Sequence, residues 1–173
     1  MTEGRAARRG RVTGARGWRA TAVGHGGFEV KSAGDGFMLA FQSAGKALAC
    51  AAAIQKALVA RNRGVGVEQL ADDAAISDGP AAVAQPLWAS AEPIHVRIGL
   101  HSGEVIKEGE DFFGRNVIMA ARVASQARGG EILASGVLKA LVEGSDVSWG
   151  DKRTVELKGL SGEHEIWAVV WKD

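Results

Sequence analysis

The stretch "FEVKSAGDGFMLAF", residues 28 to 41, places two short apolar runs on either side of Gly34-Asp35-Gly36. Alternating apolar and polar residues, followed by the Gly and Asp residues that tight turns favour, predict a β-hairpin with Asp35 at its tip. Two explanations for Asp35 are open at this point. Its carboxylate either serves the turn alone, or is held out on rigid strands to bind a metal ion.

Whole-chain properties exclude several classes of function. The 173 residues suffice for one domain with a sizeable core, and 46% apolar with 24% charged residues is an ordinary globular balance. A formal net charge of +1 gives no general attraction to nucleic acid or to an anionic membrane, so neither is an expected partner. The single cysteine, Cys50, excludes an internal disulfide and a Cys-based zinc site, and is expected in the core. Without a long apolar run or a secretory signal, the sequence predicts a cytoplasmic protein.

The first half of the chain divides into segments of different composition. Residues 1–26 are an atypical N-terminal segment rich in Gly and Arg, with no sustained period. Ser43 is a suitable N-cap for a helix that runs to about Arg61 and is stopped by Gly64. Residues 64–93, where acidic residues and prolines lie among many alanines, are predicted to be a loop insertion that includes a short helix near "VEQLADDAA".

The second half alternates strands and helices. "HVRIGLHSGEVI" (95–106) predicts two strands around a turn at Ser102-Gly103 that His101 shapes. "GRNVIMAARVASQA" (114–127) predicts a helix whose core-facing residues are Val117, Ala120, Ala121 and Ala124.

The C-terminal part follows the same alternation. A strand at "EILAS", a short helix at "GVLKALVEG" and a closing antiparallel pair at "TVELKGL" and "HEIWAVVW" complete the pattern. Together these segments predict an α+β sandwich, in which helices pack on one mixed, mostly antiparallel sheet.

Four segments together resemble the catalytic domain of the class III adenylyl and guanylyl cyclases. They are "EVKSAGDGFMLAF", "VRIGLHSGEV", "DFFGRNVIMAARVASQARGGEILAS" and "VELKGLSGEHEIWAVVW", in the order and spacing of that family. The resemblance assigns residues 27–173 to one cyclase homology domain with a ferredoxin-like, cyclase-type fold, interrupted by the insertion at 64–93.

The resemblance implies an activity and its partners. The family converts a nucleoside triphosphate to the 3′,5′-cyclic monophosphate and pyrophosphate, usually in a dimer with sites at the interface. Two divalent ions, Mg²⁺ or Mn²⁺, activate the ribose hydroxyl and neutralise the triphosphate. ATP and a second cyclase-type chain, in a homodimer or heterodimer, are therefore the expected partners.

The resemblance also assigns roles to five residues. Asp35 matches the second metal-binding aspartate, so the metal interpretation of the hairpin tip is preferred. Lys31 and Asp111 match the pair that recognises adenine, a donor for a ring nitrogen and an acceptor for the amino group. Arg122 matches the arginine that meets the triphosphate in the transition state, for which its planar donors are suited. Lys158 in "LKGL" is a further candidate for a phosphate contact, with an ordinary turn lysine as the alternative.

Two positions depart from the family pattern. The first metal-binding aspartate is expected some forty residues before Asp35, but only 34 residues precede it and none is Asp. Position 118 is Ile where the family usually has Asn, one helical turn before Arg122. Asn116 lies about 200° away around the helix and is not expected to substitute. Losing a positioned transition-state donor commonly costs about 10²–10³ in rate.

Three hypotheses follow from these matches and departures. The chain is an adenylate cyclase with weak or no activity, or a catalytically silent cyclase-homology domain that acts in nucleotide binding, dimerisation or regulation. The third hypothesis, a distant relation to the diguanylate cyclase hairpin, leaves "FFGRNVIMAAR" and "LKGLSGE" unexplained.

Overall fold

The structure is a computed structural model that describes residues 20–33, 36–63, 93–108 and 111–171, with the backbone alone for residues 31–33, 107, 108 and 111. Gly34, Asp35, residues 64–92 of the predicted insertion and residues 1–19 of the predicted N-terminal segment lie outside the described residues. Residues 20–24 are helical and lead into the first strand.

The predicted hairpin is confirmed. Strand β1 (Gly27–Ala33) pairs antiparallel with β2 (Gly36–Phe41), from Gly27 opposite Phe41 to Ala33 opposite Gly36. The register shifts between Glu29 and Lys31, which marks a β-bulge or a comparable irregularity in β1. Such an irregularity increases the local twist of the strand that carries Lys31.

The first long helix also follows the sequence prediction. Helix α1 (Ala44–Asn62) begins after Ser43, whose Oγ accepts a hydrogen bond from the Lys46 backbone N–H at 3.4 Å. This is the bond expected of an N-cap serine. The C-cap residue is Arg63, and the predicted stop residue Gly64 lies outside the described residues. Cys50 is buried in the core, as predicted.

A four-stranded sheet forms the centre of the molecule. Its strands are β3 (Ile98–Leu100), β6 (Ile132–Ser135), β7 (Trp149–Glu156) and β8 (Glu163–Val169), in the order β3-β6-β8-β7. The pair β3–β6 is parallel, whereas β6–β8 and β7–β8 are antiparallel. The predicted closing pair is thus confirmed, and the predicted short helix is α3 (Gly136–Leu141).

The α+β class and the mixed, mostly antiparallel sheet with helices packed on it are confirmed, and the described strands also form two small sheets that the sequence did not predict. Strands β4 (Ile106–Glu108) and β5 (Asp111–Phe113) form a small hairpin of their own, and β1–β2 is also a separate two-stranded sheet. The strand predicted after the Ser102-Gly103 turn therefore pairs with β5 and belongs to a different sheet from β3. With only three residues, β5 has too little alternation to be seen in the sequence.

Helix α2 (Arg115–Gln126) is present, but its predicted core face is only partly right. Met119 and Val123 are its buried residues, and Ala121 is exposed. The prediction gives the core face mainly to the alanines of this helix, whereas Met119 and Val123 have larger apolar side chains that gain more from burial. Ala124 faces the sheet through its backbone: a Cβ on Gly99 of β3 would lie 2.1 Å from the Ala124 nitrogen. The glycine therefore permits close packing of α2 on β3.

Helices cover both faces of the four-stranded sheet. Successive residues of a strand point to opposite sides, so β6 contributes to the core on each face. Ile132 and Ala134 of β6 pack in one cluster with Leu48 of α1 and Leu138 of α3. Leu133, between them, packs in a second cluster, whose buried helix residues are Met119, Val123 and the adjacent Ala127. None of the helices in the described part of the chain has the length and apolar character needed to cross a bilayer.

Two polar side chains of α1 fasten the helix to the segments beside it. Gln55, which is 2% exposed, donates from Nε2 to the carbonyl oxygens of Val96 (2.9 Å) and Glu131 (3.4 Å). Asn62 exchanges two hydrogen bonds with the backbone of Ile94, as donor at 2.9 Å and as acceptor at 3.0 Å. The end of α1 and the segment that begins near Ile94 therefore lie next to each other.

Candidate functional site

Two of the predicted site residues lie next to each other. Arg122 of α2 donates from Nε to the backbone carbonyl of Lys158 at 2.9 Å. These residues are 36 positions apart in sequence, and the contact joins α2 to the turn between β7 and β8. In the described part of the chain the terminal nitrogens of Arg122 have no hydrogen-bond partner, so the cationic end of the guanidinium is available to a ligand.

An open cleft lies at this turn. Its volume is about 520 Å³, and its lining is contributed by Glu156, Leu157, Lys158, Gly159, Leu160 and Gly162. The Lys158 side chain is exposed. A guanidinium and an ammonium beside an open cleft are an arrangement suited to an anionic group such as a phosphate.

Ile118 shares the open side of α2 with Arg122. It lies one helical turn earlier, and its side chain is 47% exposed. An exposed isoleucine can make apolar contacts with a ligand but can donate no hydrogen bond to one.

Asn116 is committed elsewhere, which supports the expectation that it does not replace an amide at position 118. Its Nδ2 donates to the Glu104 carbonyl at 2.6 Å, and its Oδ1 lies 3.1 Å from Nε2 of His101. Both ends of the amide are therefore used inside the protein.

Two further predicted residues lie on the two hairpins. The backbone of Lys31 is in β1 opposite Met38, and that of Asp111 opens β5 opposite Glu108. Asp111 is thus a strand residue, and α2 begins four residues later. Asp35 lies outside the described residues. The structure therefore brings Arg122 and Lys158 together, and the roles of Lys31, Asp111 and Asp35 stay predictions.

His101 makes contacts that sequence reasoning did not find. Its ring nitrogens lie 2.7 Å from Oγ of Ser135 and 3.1 Å from Oδ1 of Asn116, which belong to β6 and α2. The sequence predicted only that His101 shapes the turn after β3. The partners are 34 and 15 residues away, so no local pattern announces them.

The described residues do not by themselves form a divalent cation site. Within residues 20–33, 36–63, 93–108 and 111–171, no three His, Cys, Asp or Glu side chains are grouped to hold a metal ion. Magnesium is commonly bound by only one or two carboxylates together with substrate phosphates. Asp35 lies outside these residues, so its role as a metal ligand stays a prediction.

Comparison with models of protein families identifies the family of this chain. The model for the adenylate and guanylate cyclase catalytic domain matches residues 19–170. The chain belongs to this family. The resemblance seen in the four sequence segments is thereby confirmed over most of the chain.

Curated relatives of this cyclase domain are much longer proteins. This chain is 31% identical over 150 residues to the putative adenylate cyclase 3 of Rhizobium meliloti (strain 1021), and the match covers 86% of this chain and 22% of that protein. It is 32% identical over 132 residues to a receptor-type adenylate cyclase of Trypanosoma congolense, covering 65% of this chain and 17% of that protein. The chain thus spans about a fifth of the length of these relatives.

Solved structures support the same fold. A Trypanosoma brucei adenylate cyclase in its monomeric state superposes with a TM-score of 0.73 at 23% identity, covering 95% of this chain and 79% of that chain. An adenylate/guanylate cyclase/hydrolase from Silicibacter pomeroyi gives 0.68 at 24% identity, covering 98% and 87%.

Proposed function

We propose that this cyclase domain binds ATP and acts as an adenylate cyclase of low or negligible turnover to 3′,5′-cyclic AMP and pyrophosphate. The observation that carries the proposal is the placement of Arg122 against Lys158 beside an open cleft, with terminal guanidinium nitrogens that have no described partner. Lys31 and Asp111 would select adenine over guanine. The domain would comprise residues 27–173 with the insertion at 64–93, and would act in the cytoplasm, where ATP is available.

Arg122 would bind the triphosphate and not the base. Its Nε is held by the Lys158 carbonyl, which fixes the plane of the guanidinium and leaves the two terminal nitrogens to donate to phosphate oxygens. Because the orientation is set before a ligand binds, little entropy is lost on forming these bonds. Lys158, at the same cleft, would add a second positive charge for the terminal phosphate.

A divalent cation, Mg²⁺ or Mn²⁺, would be held by Asp35 and the phosphates. When bound, it supplies charge neutralisation of the triphosphate and activation of the ribose hydroxyl. With Asp35 as the one predicted metal-binding residue, we expect weak binding of the cation.

Ile118 gives the physical reason for low turnover. A cyclising nucleotide develops charge on phosphate and ribose oxygens, and an aliphatic side chain at this exposed position can stabilise none of it. The neighbouring Asn116 cannot rotate to help without breaking its bonds to His101 and Glu104. The alternative function, nucleotide binding or regulation without catalysis, is favoured by the same observation.

Pairing with a second cyclase-type chain is part of the proposal. Ile106 and Phe113 lie opposite each other on the β4–β5 hairpin, and they are 62% and 44% exposed. Ile118 on the adjoining helix is also exposed. Large apolar side chains grouped on one exposed element are typical of association surfaces. Sedimentation velocity of the wild type and of an Ile106→Asp, Phe113→Asp double variant measures this pairing, and we expect the double variant to shift toward monomer.

The proposal is tested with purified full-length chain and MnATP. Binding is measured by isothermal titration calorimetry and cyclic AMP by mass spectrometry. We expect Arg122→Ala to weaken ATP binding about 10- to 100-fold, the usual effect of losing hydrogen bonds to a charged group. Arg97→Ala, which removes an exposed arginine before β3, is the matched control and should bind as the wild type does.

A second variant separates the two functional hypotheses. Ile118→Asn introduces a donor one turn before Arg122, and for an impaired enzyme we expect it to raise cyclic AMP formation at least about tenfold. The increase should disappear when Arg122→Ala is added. Absence of product from both wild type and Ile118→Asn, with ATP binding intact, would favour the silent domain. Equal ATP affinity of wild type and Arg122→Ala would contradict the proposed site.

A further inference from the structure

The ring of His101 connects three elements that are distant in sequence. His101 follows β3 directly, Asn116 lies in the first turn of α2, and Ser135 caps α3 at the end of β6. Nδ1 of the histidine lies 2.7 Å from Ser135 Oγ and Nε2 lies 3.1 Å from Asn116 Oδ1. Ser135 is 5% exposed, so this group of side chains is largely removed from water.

The hydrogen-bond pattern fixes the protonation of the ring. Asn116 Nδ2 lies 2.6 Å from the Glu104 carbonyl; turning the amide over would set two oxygens against each other at that distance. Oδ1 therefore faces His101, and since it can only accept, Nε2 must carry the hydrogen. In a neutral ring Nδ1 is then an acceptor, and the Ser135 hydroxyl donates to it.

Ser135 completes this pattern. While its hydroxyl hydrogen points to His101, its oxygen accepts the Leu138 backbone N–H at 3.3 Å, the N-cap bond of α3. A second proton on His101 would place an N–H against this hydroxyl. Ser135 would then have to turn its own hydrogen toward another acceptor in a buried site.

No carboxylate among the described residues compensates a charge on this ring. Among the same residues, three side chains face the ring. Asn116 from α2 and Ser135 from β6 carry no charge, and His164 from β8 is a second histidine. Burial lowers the pKa of His101, the hydrogen bond to Asn116 opposes that shift, and the charge of His164 adds to the lowering. In the described part of the chain, His164 Nε2 is itself buried without a hydrogen-bond partner.

The start of α2 depends on this group because it has no other side-chain cap. Gly114 occupies the N-cap position and makes no capping bond. Asn116 instead ties the first turn to His101 and to the loop at Glu104. A Cβ on Gly103 would lie 2.4 Å from Asn116 Nδ2, so the loop packs directly on that amide.

We infer that His101 is a positioning residue: its Nε2–H fixes Asn116 and the first turn of α2, and its neutral Nδ1 holds the Ser135 hydroxyl that caps α3, so acidification disturbs α3 and leaves the Asn116 bond in place. Six residues after Asn116 the same helix carries Arg122. The consequence for ATP binding rests on the proposed function, whereas the fixing of α2 does not.

The protonation state is tested by ¹⁵N-histidine NMR of the full chain, from about pH 8 to about pH 4.5, where imidazoles titrate. Single His→Asn variants assign the four histidines. We expect His101 to be the Nε2–H tautomer at the upper end and to titrate below the ordinary histidine pKa of about 6.5. An Nδ1–H tautomer, or a midpoint at or above that value, would overturn the inference.

The positioning role is tested by amide hydrogen exchange over residues 115–119 and over α3 (Gly136–Leu141), corrected for intrinsic rates, with the amides of α1 as reference. In the wild type we expect protection of α3 to fall at least about threefold across the titration, with residues 115–119 and α1 unchanged. His101→Gln keeps a side-chain N–H for Asn116 without a titrating group, and should keep protection at every pH. His101→Ala should lose it at every pH.

The outcomes separate this inference from the proposed function. Exchange that depends on pH equally in wild type and His101→Gln would refute a role for His101, because that variant cannot titrate there. If His101→Ala fails to fold, the comparison of wild type with His101→Gln still decides. If protection behaves as expected but Arg122→Ala binds ATP like the wild type, the proposed function fails while the positioning role of His101 stands.

Discussion

The four-stranded sheet and the β1–β2 hairpin support their parts of the candidate site differently. Ile132, Leu133 and Ala134 of β6 are fully buried, between α1 and α3 on one face and α2 on the other. The hairpin is a two-stranded sheet in which Phe28 is 45% exposed, and residues of β2 pack on α1. Elements with fewer buried contacts open at lower free-energy cost. Arg122 and Lys158 are therefore held on a rigid support, and Lys31 on a more adaptable one.

A pair of leucine truncations measures this difference directly. Leu133→Ala removes a fully buried side chain and should lower the free energy of unfolding by about 3 kcal/mol. Leu39→Ala, in β2, removes a half-buried side chain and should cost about 1 kcal/mol. Urea unfolding followed by tryptophan fluorescence gives both values. Equal costs would show that the hairpin is as firmly supported as the sheet.

Gln55 tests how strongly the sheet side is fastened to α1. Gln55→Leu removes the donor but leaves each carbonyl its backbone partner, Gly130 N–H for Val96 and Ile98 N–H for Glu131. We expect a loss of about 1–2 kcal/mol in urea unfolding at neutral pH.

Gln55→Glu serves as the charged counterpart. Its carboxylate would face two carbonyl oxygens in a buried site, so it should destabilise the protein more than Gln55→Leu at neutral pH. Its folded-state pKa would be raised, so stability would be present below the unfolded value of about 4.3 and lost as pH rises. A Gln55→Glu variant without this pH dependence would contradict the buried geometry.

Glu131 ties the sheet to the end of α2 and makes stability depend on pH. Burial acts to raise the pKa of Glu131, but the Arg128 backbone N–H and the Arg153 guanidinium outweigh it, so the pKa lies below its ordinary value. The stabilisation is present above the unfolded pKa of about 4.3 and is lost as pH falls through the folded value. Glu131→Gln should be less stable than the wild type at neutral pH, and the two melting temperatures should converge on acidification. A constant difference would contradict this assignment.

The smallest expected effect is at the second ion pair of β7. Lys152 pairs with Glu165 and lies 5.7 Å from the ring centre of Trp167, but the two charged side chains are 42% and 52% exposed. Lys152→Ala should therefore cost only about 0.5 kcal/mol. Arg153→Ala, at the less exposed pair with Glu131, should cost about 1 kcal/mol. Thermal unfolding of both variants ranks the pairs, and the reverse order would contradict the role given to burial.

The sequence predicts the elements with strong local signals and misses those without them. Turn residues and alternation locate the β1–β2 hairpin, and a capping serine with helical periodicity locates α1. The face of α2 is partly misassigned because its alanines were given the same weight as its larger apolar residues, and the separation into three sheets depends on pairings that the sequence pattern does not contain. Arg122 and Lys158 were chosen by family resemblance, whereas their contact and the His101 group require three-dimensional proximity.

The exchange of hydrogen bonds between Asn62 and Ile94 has a consequence for the length of the chain between them. These bonds join the two ends across 32 sequence positions, as a short bridge would. The entropy of closing a chain segment between two fixed ends grows only slowly with its length, so insertions or deletions between these two residues should leave the rest of the domain folded. The site is therefore a suitable point for grafting a fluorescent reporter or a ligand-responsive module into a cyclase domain.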